Sequence, residues 1–217
     1  MKDIQIGLIA IALLSFVGCG TSITDADGNI YTSVKIGNQE WMVENLRTSK
    51  YSDGTPIPNV TNNSQWDNLS SGAWSHYNND SQYETTYGKL YNWDAATDSR
   101  NICPTGWHVP KDGEWTLLTD YLAANGHSGT QGVALKSKSG WGEKSNGTDD
   151  YGWKARPVGY RFNSGDFDGV GQYGYWWSSS ESSTSNAWYR SMDNDIDSVF
   201  RTKFKKRLGI YIRCLKD

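Results

Sequence analysis

The segment Asn101–Leu122, NICPTGWHVPKDGEWTLLTDYL, decides how the rest of the chain is read. It opens close to Cys103, one of only three cysteines, and runs through Gly106-Trp107-His108-Val109-Pro110 into a helix start. Pro110 and Asp112 mark that start, Trp115, Leu118 and Leu122 recur on one stripe at helical spacing, and Gly126 can stop the helix. His108 admits two readings. A general base there would need a positioned partner and an open cleft. The reading favoured here is a half-buried strand residue hydrogen-bonded to backbone.

The partner of Cys103 depends on the chain's first residues. MKDIQIGLIAIALLSFVGCG, residues 1–20, places Lys2 ahead of an apolar run from Ile6 to Val17 and then Gly18 and Cys19, the layout of a secretory signal peptide. The run is too short for an ordinary membrane-spanning helix. Val17-Gly18-Cys19 is similar to a bacterial lipobox, with Phe16 replacing the more usual Leu. That layout predicts cleavage before Cys19 and acylation of Cys19, against the alternatives of a signal with an incidental cysteine or an uncleaved anchor. The expected organisation is a signal at 1–18, a short tether at 19–24 and one domain at 25–217, lipid-anchored at the bacterial outer membrane and facing either the surface or the periplasm. Cys103 and Cys214 then remain. An oxidising compartment favours pairing them over leaving two free buried thiols.

Composition narrows the class of protein. Hydrophobic residues are only 36% of the 217, yet 11 Trp, 13 Tyr and 5 Phe sit among 23 Gly, so the core is expected to be a few large aromatics stitched by turns. A net charge of -3 gives no general attraction to nucleic acid, which is not expected as a partner.

Along the chain, Ile30, Val34 and Ile36, then Trp41 and Val43, alternate around Gly37-Asn38 and predict a hairpin. Residues 48–82 are rich in Ser, Asn, Asp, Gly and Pro and read as long surface loops pinned by Trp66, Trp74 and Tyr77. GKLYNWDAATDS, residues 88–99, predicts a brief helix burying Leu90, Trp93 and Thr97, with Ala96 at its edge. Beyond Trp141 come short strands: WKARPVGYRF, YGYWWSSS, NAWYRSM, SVFRTKF and LGIYIRCL.

Five stretches, TSVKIGNQEWMVENL, GKLYNWDAA, CPTGWHVPKDGEWTLL, GYWWSSSES and GIYIRCL, in this order, resemble the Fibrobacter succinogenes major paralogous domain family of bacterial surface and secreted proteins. The resemblance spans roughly residues 25–217. It implies an α+β, C-type lectin-like fold, with two short helices flanking twisted antiparallel sheets, long loops and a terminal disulfide that Cys103 and Cys214 match. It also implies kinship with formylglycine-generating-enzyme-like domains. No general activity goes with the family.

Chemistry must therefore come from sites. His76 and His127 stand in polar loops without zinc-ligand companions, and no G-x-S-x-G elbow exists. With Cys103 and Cys214 paired, no thiol remains for oxidase chemistry, so no enzyme is expected. Asp193, Asp195 and Asp197 alternate as calcium-loop ligands do, but Ser198 stands where Gly is needed and Phe204 where the bidentate Glu belongs. Asp25–Asn29 opens like such a loop and reads as a turn. No metal or other cofactor is expected, calcium being the weakly supported exception.

Binding is the expected role. The stretch 178–207 mixes Ser, Asn, Tyr and Arg around aromatic anchors, a composition suited to adaptable recognition. Trp188, Tyr189, Arg190, Asn194, Asp195 and Arg201 are its candidate ligand contacts. Half of the nearby rings must face the core, with Trp176 or Trp177 as the main plug. The basic run Arg201, Lys203, Lys205, Lys206 and Arg207 reads either as a contact for acidic glycans or phosphates or as a solvated strand. The function expected is a non-catalytic, membrane-anchored lipoprotein that binds a glycan or protein ligand. The alternatives are a structural envelope component and an envelope-directed hydrolase or oxidase.

Overall fold

The computed structural model describes residues 22–142 and 145–217; Cys19 and the signal segment lie outside them. The first strands are β1 (Ile23–Thr24), β2 (Ile30–Tyr31), β3 (Ser33–Ile36) and β4 (Gln39–Met42). An irregular stretch then holds α1 (Asn63–Asp67), β5 (Trp74–Ser75), α2 (Glu84–Tyr87), β6 (Leu90–Tyr91), α3 (Trp93–Ala96) and β7 (Trp107–His108). Helices α4 (Asp112–Leu122) and α5 (Gln131–Leu135) precede β8 (Val158–Arg161) and β9 (Phe167–Val170). The chain closes with β10 (Tyr173–Ser183), β11 (Asn186–Asp193), β12 (Phe200–Lys205) and β13 (Leu215–Lys216).

The class is α+β. One sheet has the order β12-β11-β10-β8-β9 and another β3-β4-β13-β7. In the first sheet β8 and β10 run parallel, so it is not wholly antiparallel. The reason is topological: the β8–β9 hairpin returns the chain to the end where β8 began, and β10 sets off beside the other edge of β8 in the same direction. In the second sheet β13 inserts between β4 and β7, with Leu215 opposite both Trp41 and His108. The two ends of the domain therefore meet in one sheet. Cys103 and Cys214 form the expected disulfide, their Cα atoms 6.0 Å apart.

Helix α4 matches its pattern, burying Trp115, Leu118 and Leu122. The Gly37 turn matches as well, with Ile36 opposite Gln39 and Gly37 at φ +60. A Cβ on Gly37 would come within 2.7 Å of the Tyr121 ring, so this turn packs directly on α4. Residues 88–99 differ from expectation. Leu90 belongs to β6, and the helix is only Trp93–Ala96, because Asn92 caps it by accepting from Ala95 N and so fixes its start at Trp93.

Aromatic side chains fill the core on both faces of β10. Trp176 joins Trp41, Trp115 and Trp153 under α4, with adjacent ring centroids 4.7–5.9 Å apart. Trp177 points the other way, donating to the Tyr91 carbonyl at 2.8 Å. Both candidate plugs are therefore core, one per face, as a period of two requires. LGIYIRCL, residues 208–215, is buried throughout. Only its last residue enters a regular ladder; the rest is stitched by single bridges from Gly209 to Arg161, Ile210 to Tyr91 and Tyr211 to Trp176.

Candidate functional site

The six predicted contacts fall into three places. Tyr189 and Arg190 are buried, at 9% and 2% exposure, so their expected role as surface contacts is corrected. β11 is covered on both sides: Tyr189 packs in the core of Trp177, and Arg190 faces the start of α4. Trp188 and Arg201 stand together on the sheet face, the guanidinium 3.4 Å from the ring centroid. Asn194 and Asp195 occupy the turn after β11, roughly 20 Å along the strand direction from Trp188. The stretch 178–207 is therefore not one continuous ligand surface.

Asp112 organises the sheet face. Its carboxylate accepts from Arg190 Nη1 at 2.7 Å and from Arg201 Nε and Nη2 at 2.9–3.0 Å. Burial works against its ionisation, but the bonds from Arg201 and Arg190 outweigh that and hold its carboxyl below the usual carboxylate range. One acid thus anchors two arginines and pins the first turn of α4 to β11. Alongside, Arg201, Lys203 and Lys205 project from alternate positions of the edge strand β12, all exposed. Lys203 lies 5.9 Å from the Trp188 ring centroid. The remaining members of the basic run turn inward, Lys206 to Glu181 and the Trp93 ring, and Arg207 to Asp67.

The acidic turns are accounted for internally. Lys136, 1% exposed, donates its ammonium to the carbonyls of Asp193 at 2.5 Å and Ile196 at 2.8 Å, placing a protein cation at the centre of the Asp193–Asp197 turn. Asp25 accepts from the backbone N–H groups of Asp27 and Asn29, both at 2.9 Å, and from the Tyr31 hydroxyl, closing the expected turn. Among the described residues no group of three or more His, Cys, Asp or Glu side chains is placed to hold a metal ion.

His108 sits in a half-buried strand, as expected, but its partners are carboxylates rather than backbone. Nδ1 lies 2.7 Å from Asp217 Oδ1 and Nε2 3.1 Å from Glu114 Oε2. Glu114 also accepts from the Lys111 backbone N–H at 2.7 Å, so it caps α4 while it holds the imidazole.

Sequence reasoning missed a cleft of about 280 Å³. The segment after β4, helix α2, the loop 154–156 and the C-terminal segment wall it, and none of its lining comes from 178–207. Its floor is Arg213, 2% exposed. The guanidinium donates to Asn45 Oδ1 from Nε and Nη2, at 3.3 and 3.0 Å, and from Nη1 to the Trp153 carbonyl, and stacks 3.6 Å from the Trp153 ring centroid. Asn45 also accepts from Trp176 Nε1 at 2.8 Å and donates to the Tyr87 carbonyl at 2.9 Å. A lone arginine inside an apolar strand was the available signal.

The family model for the Fibrobacter succinogenes major domain matches residues 34–216, from the first sheet hairpin to the last strand. No curated protein and no solved structure matches the chain.

Proposed function

Because the chain belongs to the Fibrobacter succinogenes major domain family, we propose that it is a non-catalytic recognition protein of the cell envelope with a C-type lectin-like domain that binds an acidic glycan. The observation that carries this reading is the exposed, unpaired Lys203 and Lys205 on an uncovered sheet edge, beside Trp188 and the Arg201 that Asp112 already pairs. Clustered cations recognise carboxylate and phosphate groups, and a flanking indole supplies rigid contact area. The lectin-like assignment draws on β13 joining both ends of the domain in one sheet and on the disulfide beside it. Acylation of Cys19 would hold the domain close to the outer membrane, since the six-residue tether spans about 20 Å at most.

Two measurements test this. Cys19→Ser should shift the protein from the membrane to the soluble fraction; unchanged partitioning removes the anchor. The full chain in detergent should bind acidic but not neutral glycans saturably, and binding only to an acidic protein surface would reassign the partner. His108, held between Glu114 and Asp217, supports a second reading, an envelope-directed hydrolase. Turnover abolished by His108→Gln would favour it.

A further inference from the structure

We propose that the cleft floored by Arg213 is a second binding site, for a small hydroxylated carboxylate of the size and chemistry of a uronic acid. It shares no residue with the β11–β12 face, so it stands or falls independently of the reading above. The cleft, at about 280 Å³, lies near the lower end of small-molecule sites, about 300 Å³. That volume suits one sugar ring rather than an oligosaccharide.

The charge pattern selects the ligand. Arg47, Lys154, Arg156 and Arg213 line the cleft, and among the described residues none has a carboxylate within 4.0 Å. Burying a guanidinium against neutral acceptors alone leaves its charge uncompensated, an arrangement that favours an incoming anion. Arg213 is in that position, with only three of its N–H donors engaged, all by amide oxygens. Burial pushes its pKa down to about 9, so it remains cationic at neutral pH. Arg47 likewise meets only neutral groups, its Nη2 donating to the Ile30 carbonyl at 3.0 Å and its guanidinium lying 5.4 Å from the Tyr31 ring centroid. Lys154 holds a left-handed backbone at φ +55, fixed by its N–H donating to Asp149 Oδ1 at 2.8 Å. Such a conformation is uncommon for lysine and marks a position the surroundings over-determine.

The wall also carries two carboxylates that are already anchored. Glu44 accepts from Thr32 N and Oγ1 at 2.8–2.9 Å, and Glu84 pairs with Lys89 at 2.8 Å. A phosphate dianion would meet their repulsion. A sugar monoacid uses both signs: its carboxylate faces the cations, and its hydroxyls donate to Glu44 and Glu84 and reach the hydroxyls of Thr85 and Thr86.

The test is calorimetric titration of the full chain with sodium glucuronate, glucose and inorganic phosphate. Glucuronate should bind saturably, weaken with salt, and lose at least tenfold in affinity in Lys154→Gln/Arg156→Gln. Those two side chains serve because an Arg213 variant risks unfolding. Lys138→Gln, an exposed lysine on neither surface, should leave the affinity unchanged, and Lys203→Gln/Lys205→Gln should lower it less than the cleft pair does. Absence of saturable glucuronate binding overturns the proposal. So does equal binding of phosphate or glucose, or an affinity that follows the Lys203/Lys205 variant rather than the Lys154/Arg156 one.

Discussion

Arg190 and Arg213 are equally buried, yet they meet their charge in opposite ways. Arg190 shares the Asp112 carboxylate with Arg201, whereas Arg213 has an asparagine oxygen and a backbone carbonyl. The first arrangement is closed: one anion is satisfied by two cations, and it fastens a helix to a sheet. The second is open: four cations share a concavity with Glu44 and Glu84, which are held by Thr32 and Lys89, and among the described residues none of the four has a carboxylate within 4.0 Å. Residue type therefore says little about role here, and the location of the counter-charge says most.

The largest expected effect comes from the bridge beside the open cluster. Cys214 directly follows Arg213 and is tied to Cys103 across 111 residues. Cys214→Ser should cost about 2–5 kcal/mol in urea unfolding, toward the upper end for so long a loop. If the comparison holds, the variant should also weaken ligand uptake by the Arg213 cleft before it affects the β12 edge. Equal loss at both would show that the two regions are not separable.

Next in size is the difference between the two arginines. Arg190→Met leaves Asp112 to Arg201 alone and also removes the donors to the Asp112 carbonyl and the Thr116 hydroxyl, so about 3 kcal/mol is expected from the lost charge-assisted bonds. Arg213→Met leaves no carboxylate behind, only the Trp153 carbonyl short of a donor, so about 1–3 kcal/mol is expected. Chemical denaturation of both variants decides it. A larger loss for Arg213→Met would mean that its stacking on Trp153 and Trp176 is the tie that matters.

How much of this could be read from the sequence follows from range. Helix α4 was legible because Trp115, Leu118 and Leu122 repeat within one local period, and the disulfide because only two cysteines remained to pair. The burial of Arg190 was not legible: its neutralising partner, Asp112, lies 78 residues away. Lys136, which supplies the cation of the Asp193–Asp197 turn, is 57 residues from the carbonyl it meets. The cleft gathers residues near positions 45, 86, 155 and 213 from loops with no shared periodicity. Alternation along β11 put Trp188 and Arg190 on one face, but it could not show that α4 covers one of them and leaves the other half open.

The closed cluster also has a pH signature. The Asp112 carboxyl is held below its ordinary value, so its contribution to stability is fully present above the unfolded value of about 3.9 and is lost as pH falls through the lower folded value. Urea midpoints should therefore drop more steeply below about pH 4 in the wild type than in Asp112→Asn. Parallel slopes would mean that Asp112 titrates alike in both states, and the cluster would lose its claim to be the tighter of the two.

The smallest effect on stability is expected at the exposed edge. Lys203 and Lys205 stand two residues apart on one face of β12, and among the described residues neither is within 4.0 Å of a carboxylate. Replacing both by Gln removes no native ion pair and relieves a like-charge contact, so stability should change by no more than about 0.5 kcal/mol. The consequence should appear in association instead. An edge strand has unpaired backbone groups, and lysines on it discourage pairing with a second sheet. Lys203→Gln/Lys205→Gln should therefore bind acidic glycans less tightly and with a shallower dependence on salt, and should self-associate more readily in sedimentation. A variant that loses stability but keeps both its glycan affinity and its state of association would show that these lysines are packing residues, and the row beside Trp188 would cease to be a recognition surface.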